Sequence, residues 1–206
     1  MTSIPWIAPA LALLIGYLLG SIPFGLILTR VSGAGDLRTI GSGNIGATNV
    51  LRTGRKGIAA ATLLLDIGKG AAAVLIAGAL FPGGAVLAAI GAFFGHLYPI
   101  WLKFRGGKGV AVLMGIALAL SPVCGLVFAL MWIGMLLVTR ISSVGGMSAA
   151  IALPVTAAIL GDFELVALFL ALSLMVIWKH RENIARLLSG TEPRIGGAKA
   201  DAPQGD

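Results

Sequence analysis

Long apolar stretches alternate with short polar or turn-forming stretches along almost the whole chain. Seven apolar segments can be delimited, at residues 4–28, 58–80, 85–102, 110–120, 123–139, 144–160 and 165–177. A helix needs roughly 20 apolar residues to cross a bilayer, and in lipid its backbone groups pair within the helix itself. The pattern therefore predicts an all-α, polytopic membrane protein with seven transmembrane helices.

Two of the shorter divisions depend on length and charge. Residues 110–139 number 30, and one straight helix of that length would reach about 45 Å, against a hydrocarbon core of about 30 Å. Lys108 precedes this stretch and Arg140 follows it, and both should lie on the cytoplasmic side. We therefore expect a hairpin that turns at residues 121–122, and on the same argument a second hairpin that turns at residues 161–164.

The distribution of positive charge orients the predicted bundle. Lysine and arginine concentrate in residues 29–57, 103–109 and 140–143 and in the C-terminal stretch, which places these on the cytoplasmic side. Seven spans then leave the N-terminus outside and the C-terminus in the cytoplasm. No lysine or arginine precedes the first apolar segment, so we expect a retained helix and not a cleaved signal. Residues 1–192 should form one transmembrane domain, and residues 193–206, which lack a periodic apolar face, a disordered cytoplasmic tail.

Composition agrees with this class of protein. Apolar residues make up 58% of the chain and charged residues 11%, whereas soluble domains carry about 25% charged residues. Thirty glycines favour closely packed helices. The net charge of +7 is accounted for by the positive cytoplasmic face, so no nucleic-acid partner is expected. Cys124 is the single cysteine, which excludes a disulfide within the chain.

Three polar stretches on the predicted cytoplasmic face carry groups suited to anions. In the first, residues 41–52, glycines free the backbone to turn N–H groups inward, hydroxyl and amide side chains add hydrogen bonds, and an arginine offers a planar fork for phosphate. Its candidate residues are Gly41, Ser42, Gly43, Asn44, Gly46, Thr48, Asn49 and Arg52. The alternative is a flexible loop with an isolated arginine.

The second stretch, residues 103–110, leads directly into an apolar helix. Gly106, Gly107 and Gly109 flank Lys108, and glycines before a helix N-terminus can form a phosphate cradle. The spacing is not that of a Walker loop. A positively charged membrane anchor with a tight turn is the alternative.

The third stretch, residues 178–192, closes the last apolar segment. His180 and Asn183 are three residues apart and should share one helical face, with Arg186 close below. Histidine is the side chain most often used for proton transfer near neutral pH. A structural histidine at a basic helix end is the alternative.

Charged and titratable residues also occur within apolar segments. Asp66 and Lys69 stand at i and i+3, so they can pair, either as a structural ion pair or in contact with substrate. His96, near the cytoplasmic end of the third segment, either joins the site or packs. The two histidines lie on separate segments without a carboxylate cluster, so no metal is expected.

Together these stretches resemble the bacterial acyl-phosphate:glycerol-3-phosphate acyltransferases of the PlsY type. The matching pieces are residues 41–52, residues 95–99 leading to 104–111, and residues 180–192, with residues 66–70 also similar. Three long motifs in order make the likeness specific, and it extends over nearly the whole chain up to Glu192. Val112 stands where the family pattern has threonine, a minor departure.

The resemblance implies an enzyme of the bacterial inner membrane whose site faces the cytoplasm. It would join acyl phosphate to the sn-1 hydroxyl of glycerol 3-phosphate, giving lysophosphatidic acid and phosphate in the first step of phospholipid synthesis. No coenzyme A, acyl carrier protein, other cofactor or obligate protein partner is implied. The functional positions would be Ser42, Arg52, Lys108, His180 and Asn183, with Glu192 as a structural anchor. Either Ser142 or Ser143 would approach the site.

This chemistry leads to a mechanistic hypothesis. Arg52 and Lys108, with the glycine N–H groups, would hold the two phosphates against their mutual repulsion. His180 and Asn183 would orient the attacking hydroxyl or the acyl carbonyl. Either His180 or the substrate's own phosphate would accept the proton.

Three rival functions are less well supported. Acyltransferases that use a thioester donor commonly carry histidine followed four residues later by aspartate, which is absent after His96 and His180. A transporter of phosphorylated solutes, to which Asp66 and Lys69 would point, needs polar groups along several helices, whereas here they gather at one face. A membrane-anchored nucleic-acid binder rests on the basic pI alone.

Overall fold

The computed structural model describes residues 6–196 as a bundle of helices. Its α-helices, in chain order, are α1 (Ile7–Gly20), α2 (Phe24–Val31), α3 (Ala47–Leu51), α4 (Lys56–Leu80), α5 (Gly84–Leu97), α6 (Val110–Leu120), α7 (Pro122–Thr139), α8 (Ser142–Ile159), α9 (Phe163–Lys179) and α10 (Arg181–Leu188). Short 3₁₀ turns cover Leu37–Thr39 and Ile100–Leu102. The all-α prediction is confirmed for the described part of the chain.

Each predicted apolar segment contains an α-helix within the described residues, but not every one is long enough to span a bilayer by itself. Five helical stretches meet the length and hydropathy of a span, and a sixth follows if α9 and α10, bent by 58°, count together. Helix α6 has 11 residues and falls short. The count of seven spans and the orientation of the termini therefore stay predictions.

The two predicted hairpins turn where the sequence indicates. Ser121 separates α6 from α7 and accepts a hydrogen bond from the Cys124 N–H at 3.4 Å, with Pro122 at the first helical position. Asp162 caps α9 by accepting from the Leu165 N–H at 3.1 Å. Both helix boundaries are therefore explained by local capping hydrogen bonds.

Glycine pairs let α1 and α5 approach at backbone distance. Gly16 and Gly20 on α1 face Ala88 and Ala92 on α5, and a Cβ at Gly16 would lie 2.7 Å from the Ala88 Cα. Gly91 on α5 meets the backbone of α1 in the same way, with 2.8 Å from its Cβ position to the Tyr17 nitrogen. The spacing of four residues between Gly16 and Gly20 places both on one face, as in small-residue contacts between membrane helices.

The first apolar segment is broken, although the sequence predicts one helix. Pro23 cannot donate a backbone hydrogen bond, and the chain leaves helical geometry between α1 and α2. The freed Ser21 carbonyl accepts from Trp101 Nε1 at 2.8 Å, and the Ile22 carbonyl accepts from Lys69 Nζ at 2.7 Å. Lys69 thus adds a second donor to the Ile22 carbonyl, which also accepts from the Phe24 N–H at 3.2 Å.

Tight packing of α4 against α6 fixes the helix that follows the second motif. A Cβ at Gly70 would lie 2.5 Å from the Val112 carbonyl oxygen, and one at Gly115 would lie 3.0 Å from the Ala71 nitrogen. Val112 itself is fully buried in the main apolar core. Its departure from the family pattern therefore lies in helix packing, and its neighbour in sequence Ala111 lines the site described next.

Candidate active site

One cavity of about 800 Å³ lies at the end of the bundle where α5 ends and α6 begins. All three predicted motifs contribute to its lining, together with Asp66 and His96 from helices α4 and α5. Predicted site residues in the lining are Gly41, Ser42, Asn44, Gly46, Thr48, Asn49, Arg52, Lys108, Gly109, Ser142, Ser143, His180, Asn183 and Glu192. Gly43, Lys69, Gly106 and Gly107 are not in the lining.

Asn49 organises the first loop from within. It is 2% exposed, and its Nδ2 donates to the carbonyls of Leu37 at 3.0 Å and Ile40 at 2.9 Å. Its Oδ1 accepts from the Ser42 N–H at 3.4 Å and from Arg52 Nη1 at 3.5 Å. Asn49 therefore shapes the loop and steadies Arg52, and its predicted contact with substrate stays a prediction.

The glycine at position 41 makes room for the arginine at position 52. Gly41 has φ of 54°, and a Cβ there would lie 2.6 Å from Arg52 Nη1. The guanidinium thus lies directly over the backbone of the loop, with its remaining donors available to the cavity. Gly43 also has positive φ, at 67°, but its role is in the turn.

A second anchor joins the first loop to helix α8. Thr48 Oγ1 and Ser142 Oγ are 2.8 Å apart and hydrogen-bonded. Asn44 Oδ1 accepts from the Gly46 N–H at 2.9 Å, which turns the chain into α3. Side chains from distant positions thereby hold the first motif in one geometry.

The second and third motifs meet in one hydrogen-bond network. Lys108 Nζ donates to Asn183 Oδ1, and Asn183 Nδ2 donates to Glu192 Oε1 at 2.5 Å. Glu192 also accepts from Ser143 Oγ at 2.6 Å and, through Oε2, from Arg186 Nε at 2.7 Å. Glu192 thus joins α8 to α10, which is the geometry of the anchor that the resemblance implies. Ser142 contacts the first loop, whereas Ser143 contacts this network.

Burial shapes the charge of two members of this network. Burial lowers the pKa of Lys108 to about 8, partly offset by the nearby Glu192 carboxylate. Burial opposes ionisation of Glu192, but hydrogen bonds from Ser143, Asn183 and Arg186 outweigh it and lower the pKa of that carboxyl. Glu192 is therefore an anion at neutral pH, and Lys108 is largely a cation.

His180 lies at the 58° bend between α9 and α10, not on the continuous helix that the sequence predicts. Its Nδ1 is 2.8 Å from the Val176 carbonyl, which can only accept, so Nδ1 carries the proton and Nε2 is the acceptor in the neutral ring. Burial lowers the pKa of His180 to about 4. The ring is therefore neutral near pH 7 and able to accept a hydrogen bond but poor as a base.

The glycines before Lys108 have a different role from the predicted cradle. The Gly106 N–H donates to the Leu97 carbonyl at 3.1 Å, and the Gly107 N–H donates to the His96 carbonyl at 3.0 Å. These two groups are engaged within the protein, which corrects the expectation that they hold phosphate. A Cβ at Gly107 would lie 2.7 Å from His96 Cε1. Glycine is needed here because the imidazole occupies the space of a side chain.

Gly109 differs from its neighbours. It has φ of 89° and lines the cavity, and a Cβ there would lie 2.5 Å from the Phe93 ring. The left-handed conformation turns the chain from the lysine into α6. The turn at Gly109 therefore places the N-terminal end of α6 beside the cavity.

Asp66 and Lys69 pair as the sequence predicts, with 2.6 Å between Lys69 Nζ and Asp66 Oδ1. His96 joins them, since its Nδ1 lies 4.0 Å from the same carboxylate oxygen. Asp66 and His96 are 3% and 5% exposed. In the part of the chain that the structure describes, no three His, Cys, Asp or Glu side chains gather as metal ligands.

Sequence reasoning missed the contribution of the segment after Glu192. Residues 193–196, assigned to a disordered tail, line the cavity, and the Ile195 N–H donates to the Arg140 carbonyl at 2.7 Å. Residues 197–206 lie outside the described part. Arg194 brings a further cation to the cavity, and Trp132 brings an aromatic wall. A basic residue two positions after the third motif is the one signal for Arg194 that the sequence carried.

A family model described as glycerol-3-phosphate acyltransferase matches residues 10–190 of this chain. The chain belongs to this family. Among similar acyltransferases of that description, the one from Novosphingobium aromaticivorans is 63% identical over 92% of this chain and 96% of its own length. The one from Methylorubrum populi is 56% identical over 93% of this chain and 95% of its own length.

Solved structures of the acyltransferase PlsY (YgiH), an integral membrane protein, resemble the fold closely. The glycerol 3-phosphate form matches with a TM-score of 0.86 and 36% identity, covering 91% of this chain and 96% of that one. The lysophosphatidic acid form matches with a TM-score of 0.84 and 35% identity, covering 90% and 94%. The chain is thus a PlsY-type glycerol-3-phosphate acyltransferase with an integral membrane fold, and the recognition made from its motifs is confirmed.

Proposed function

We propose that this acyltransferase uses acyl phosphate as its donor and acylates the sn-1 hydroxyl of glycerol 3-phosphate. The observation that carries the proposal is the gathering of Arg52, Lys108 and Arg194 around one cavity. Two phosphate-bearing substrates must approach each other in such a site, and cations on several sides offset their repulsion. Leu63, Val110 and other apolar side chains in the same lining suit a fatty acyl chain.

The reaction needs no covalent enzyme intermediate. The sn-1 oxygen attacks the acyl carbonyl carbon, the bond from that carbon to the phosphate oxygen breaks, and phosphate departs with the electron pair. The hydroxyl proton passes to a phosphate oxygen. Positioning and charge stabilisation then supply most of the rate, because a mixed anhydride has a good leaving group.

His180 and Asn183 suit the task of orientation. The Nε2 of neutral His180 accepts a hydrogen bond, and a pKa of about 4 makes phosphate the better proton acceptor. Asn183 holds Lys108 from one side and is itself held by Glu192. The network therefore presents the ammonium group in one position.

We further propose seven spans in residues 1–192, with the N-terminus outside and the cavity open to the cytoplasm at the bacterial inner membrane. The charge pattern supports this topology, and the similar structure is that of an integral membrane protein. Single cysteines introduced into a Cys124→Ala background can be labelled in intact cells. Labelling of residues 103–109 from outside would contradict the topology.

The decisive assay mixes purified protein with acyl phosphate and glycerol 3-phosphate and measures phosphate release and lysophosphatidic acid. We expect both products in equal amounts, without thioester and in the presence of a chelator. Acyl coenzyme A in place of acyl phosphate is the matched control and should give no product. Product formation from the thioester alone would overturn the assignment of the donor. Loss of activity with the chelator, followed by its recovery on addition of a divalent ion, would overturn the expectation that no metal is needed.

A further inference from the structure

The segment at residues 193–196 is anchored on both sides at the cavity. Before it, the carboxylate of Glu192 accepts side-chain hydrogen bonds at both of its oxygens. Within it, the Ile195 N–H donates to the Arg140 carbonyl at 2.7 Å. Pro193 lies between these anchors, and its ring restricts its own φ and the backbone of the preceding residue. The segment is therefore held in one place although it has no helix or strand.

Arg194 lies between the two anchors and contributes to the cavity lining. It is exposed, so its guanidinium reaches water at the margin of the site. The carboxylates that the described residues bring to the lining already have cationic partners. Asp66 pairs with Lys69 at 2.6 Å, and Glu192 pairs with Arg186 at 2.7 Å. The guanidinium of Arg194 is therefore available to an anion that enters the cavity.

The two substrate phosphates make different demands on such a cation. The phosphate of the donor is bonded to the reacting carbonyl carbon, so it lies near the groups that orient the reaction. Lys108 is partly buried and donates to Asn183, which places its ammonium group among those groups. The phosphate of glycerol 3-phosphate is separated from the attacking sn-1 oxygen by the three-carbon chain. It needs a cation away from the reacting atoms, and the exposed Arg194 is such a cation.

We propose that Arg194 binds the phosphate of glycerol 3-phosphate and that the hydrogen bond from Ile195 to the Arg140 carbonyl positions it. This inference rests on the proposed function for the place of the donor phosphate beside Arg52 and Lys108. Arginine offers two parallel N–H donors that match a phosphate. The charge of the acceptor phosphate does not change during the reaction, so the contact is equally strong in the ground state and the transition state. Its loss therefore raises KM without lowering kcat.

The first test measures binding of glycerol 3-phosphate to the full-length protein in detergent by titration calorimetry. We expect Arg194→Ala to raise the Kd by about tenfold, because a charge-assisted hydrogen bond is lost. Arg194→Lys, which keeps the charge but not the planar fork, should raise it less. Arg30→Ala is the matched control, since Arg30 is an exposed arginine outside the cavity lining, and its Kd should equal that of the wild type.

Steady-state kinetics then separate the two phosphates. In Arg194→Ala, the KM for glycerol 3-phosphate should rise by about tenfold, whereas kcat and the KM for acyl phosphate should stay within about twofold of the wild-type values. A lower kcat, or a higher KM for acyl phosphate alone, would place Arg194 on the leaving phosphate and overturn the inference. An unchanged Kd for glycerol 3-phosphate would overturn it as well.

The anchor is tested with Ile195→Pro, which removes the N–H and leaves the charge of Arg194 in place. We expect the Kd for glycerol 3-phosphate to rise by about fivefold, and Ile195→Ala, which keeps the N–H, to have little effect. Ile195→Pro should add nothing further to Arg194→Ala, because the anchor acts through the arginine. Additive losses in the double variant would overturn the positioning role. Absence of wild-type turnover with acyl phosphate would instead overturn the proposed function, and the calorimetric result would still decide the role of Arg194.

Discussion

The ammonium group of Lys108 donates a hydrogen bond to the side-chain carbonyl of Asn183, which joins the loop before α6 to α10 across 75 positions of sequence. Asn183 in turn donates to Glu192, so the position of the lysine depends on a chain of partners. This contact explains why two motifs far apart in the sequence act as one unit. Substitution of either residue should disturb the other.

The pH dependence of the reaction should follow Lys108. Its pKa of about 8 means that the ammonium is charged below pH 8 and neutral above it. Since the charged form holds phosphate, we expect kcat/KM to fall about tenfold per pH unit above this value. Lys108→Arg, which stays charged, should move the alkaline limb upward. Measurement of kcat/KM between pH 6 and 10 checks this prediction. Lys103→Arg, at an exposed position of the same loop, is the control. An alkaline limb at the same pH in Lys108→Arg and in the wild type would contradict the prediction.

Arg52→Lys separates bidentate recognition from simple charge. The guanidinium lies over Gly41 and can offer two parallel donors to a phosphate, whereas an ammonium offers a point charge. We expect kcat/KM to fall by about tenfold or more, with a loss in kcat because charge on the leaving phosphate grows in the transition state. Arg55→Lys, whose arginine donates to the Ser32 carbonyl outside the cavity, should have little effect. If Arg52→Lys kept the wild-type kcat and KM, bidentate recognition would be wrong, and Arg52 would serve as a positive residue that fixes the topology.

Gly107→Ala should lower kcat and also raise KM. From sequence alone the expected effect is mainly on KM, through a lost phosphate contact. The structure changes the reason, because the new methyl group would displace the His96 ring and with it the turn that carries Lys108. Steady-state kinetics with both substrates distinguish the two outcomes. Gly57→Ala, where a Cβ meets nothing within 4 Å, is the matched control. A change in KM alone in Gly107→Ala would contradict this prediction and support the phosphate cradle expected from the sequence.

His180→Gln tests the role of the imidazole. Burial lowers the pKa of His180 to about 4, so the ring is neutral throughout pH 6–9 and its titration should not shape the rate there. We expect a lower kcat and a pH–rate profile of unchanged shape in this range. Loss of a limb of the wild-type profile on substitution would instead identify His180 as the general base.

The crossing of α1 and α5 should be intolerant of any side chain at its glycines. A methyl group at Gly20 would meet the Ala92 backbone, with 2.5 Å to its Cα, which cannot move without shifting the helix. We expect Gly20→Ala to destabilise the protein by about 1–3 kcal/mol, seen as a lower Tm in detergent. Gly134→Ala, with open space around its Cβ position, should be neutral or slightly stabilising. Equal Tm values for the two variants would contradict the tight crossing.

Much of the site was predictable because its chemistry is local in the sequence. Loops rich in glycine and hydrogen-bonding side chains next to Arg52, Lys108 and His180 indicate anion binding without knowledge of the fold. The pairing of Asp66 with Lys69 follows from their spacing on one helix, and the structure confirms it. The turn at Ser121 follows from the length of residues 110–139 and the positive charges that flank them, and Ser121 caps α7 there.

Other features depend on contacts between distant segments. The N–H groups of Gly106 and Gly107 look free in the sequence, but the end of α5 supplies carbonyls that take them. The 58° bend at His180 interrupts the last helix, and residues 193–196 return to the cavity, where the Ile195 N–H donates to the Arg140 carbonyl. Neither feature can be predicted from hydrophobic periodicity, because periodicity indicates which residues are buried but not which residues they contact.

By itself, the sequence determined the membrane class, the helical segments and the three motifs, because lipid imposes long apolar runs and phosphate chemistry requires particular residue types. Only the tertiary structure decided which polar groups remain available for substrate. Hydrogen bonds between different segments engage Asn49, Gly106 and Gly107 within the protein, and the ion pair with Lys69 engages Asp66. Those partnerships depend on distances in three dimensions, which spacing along the chain does not specify.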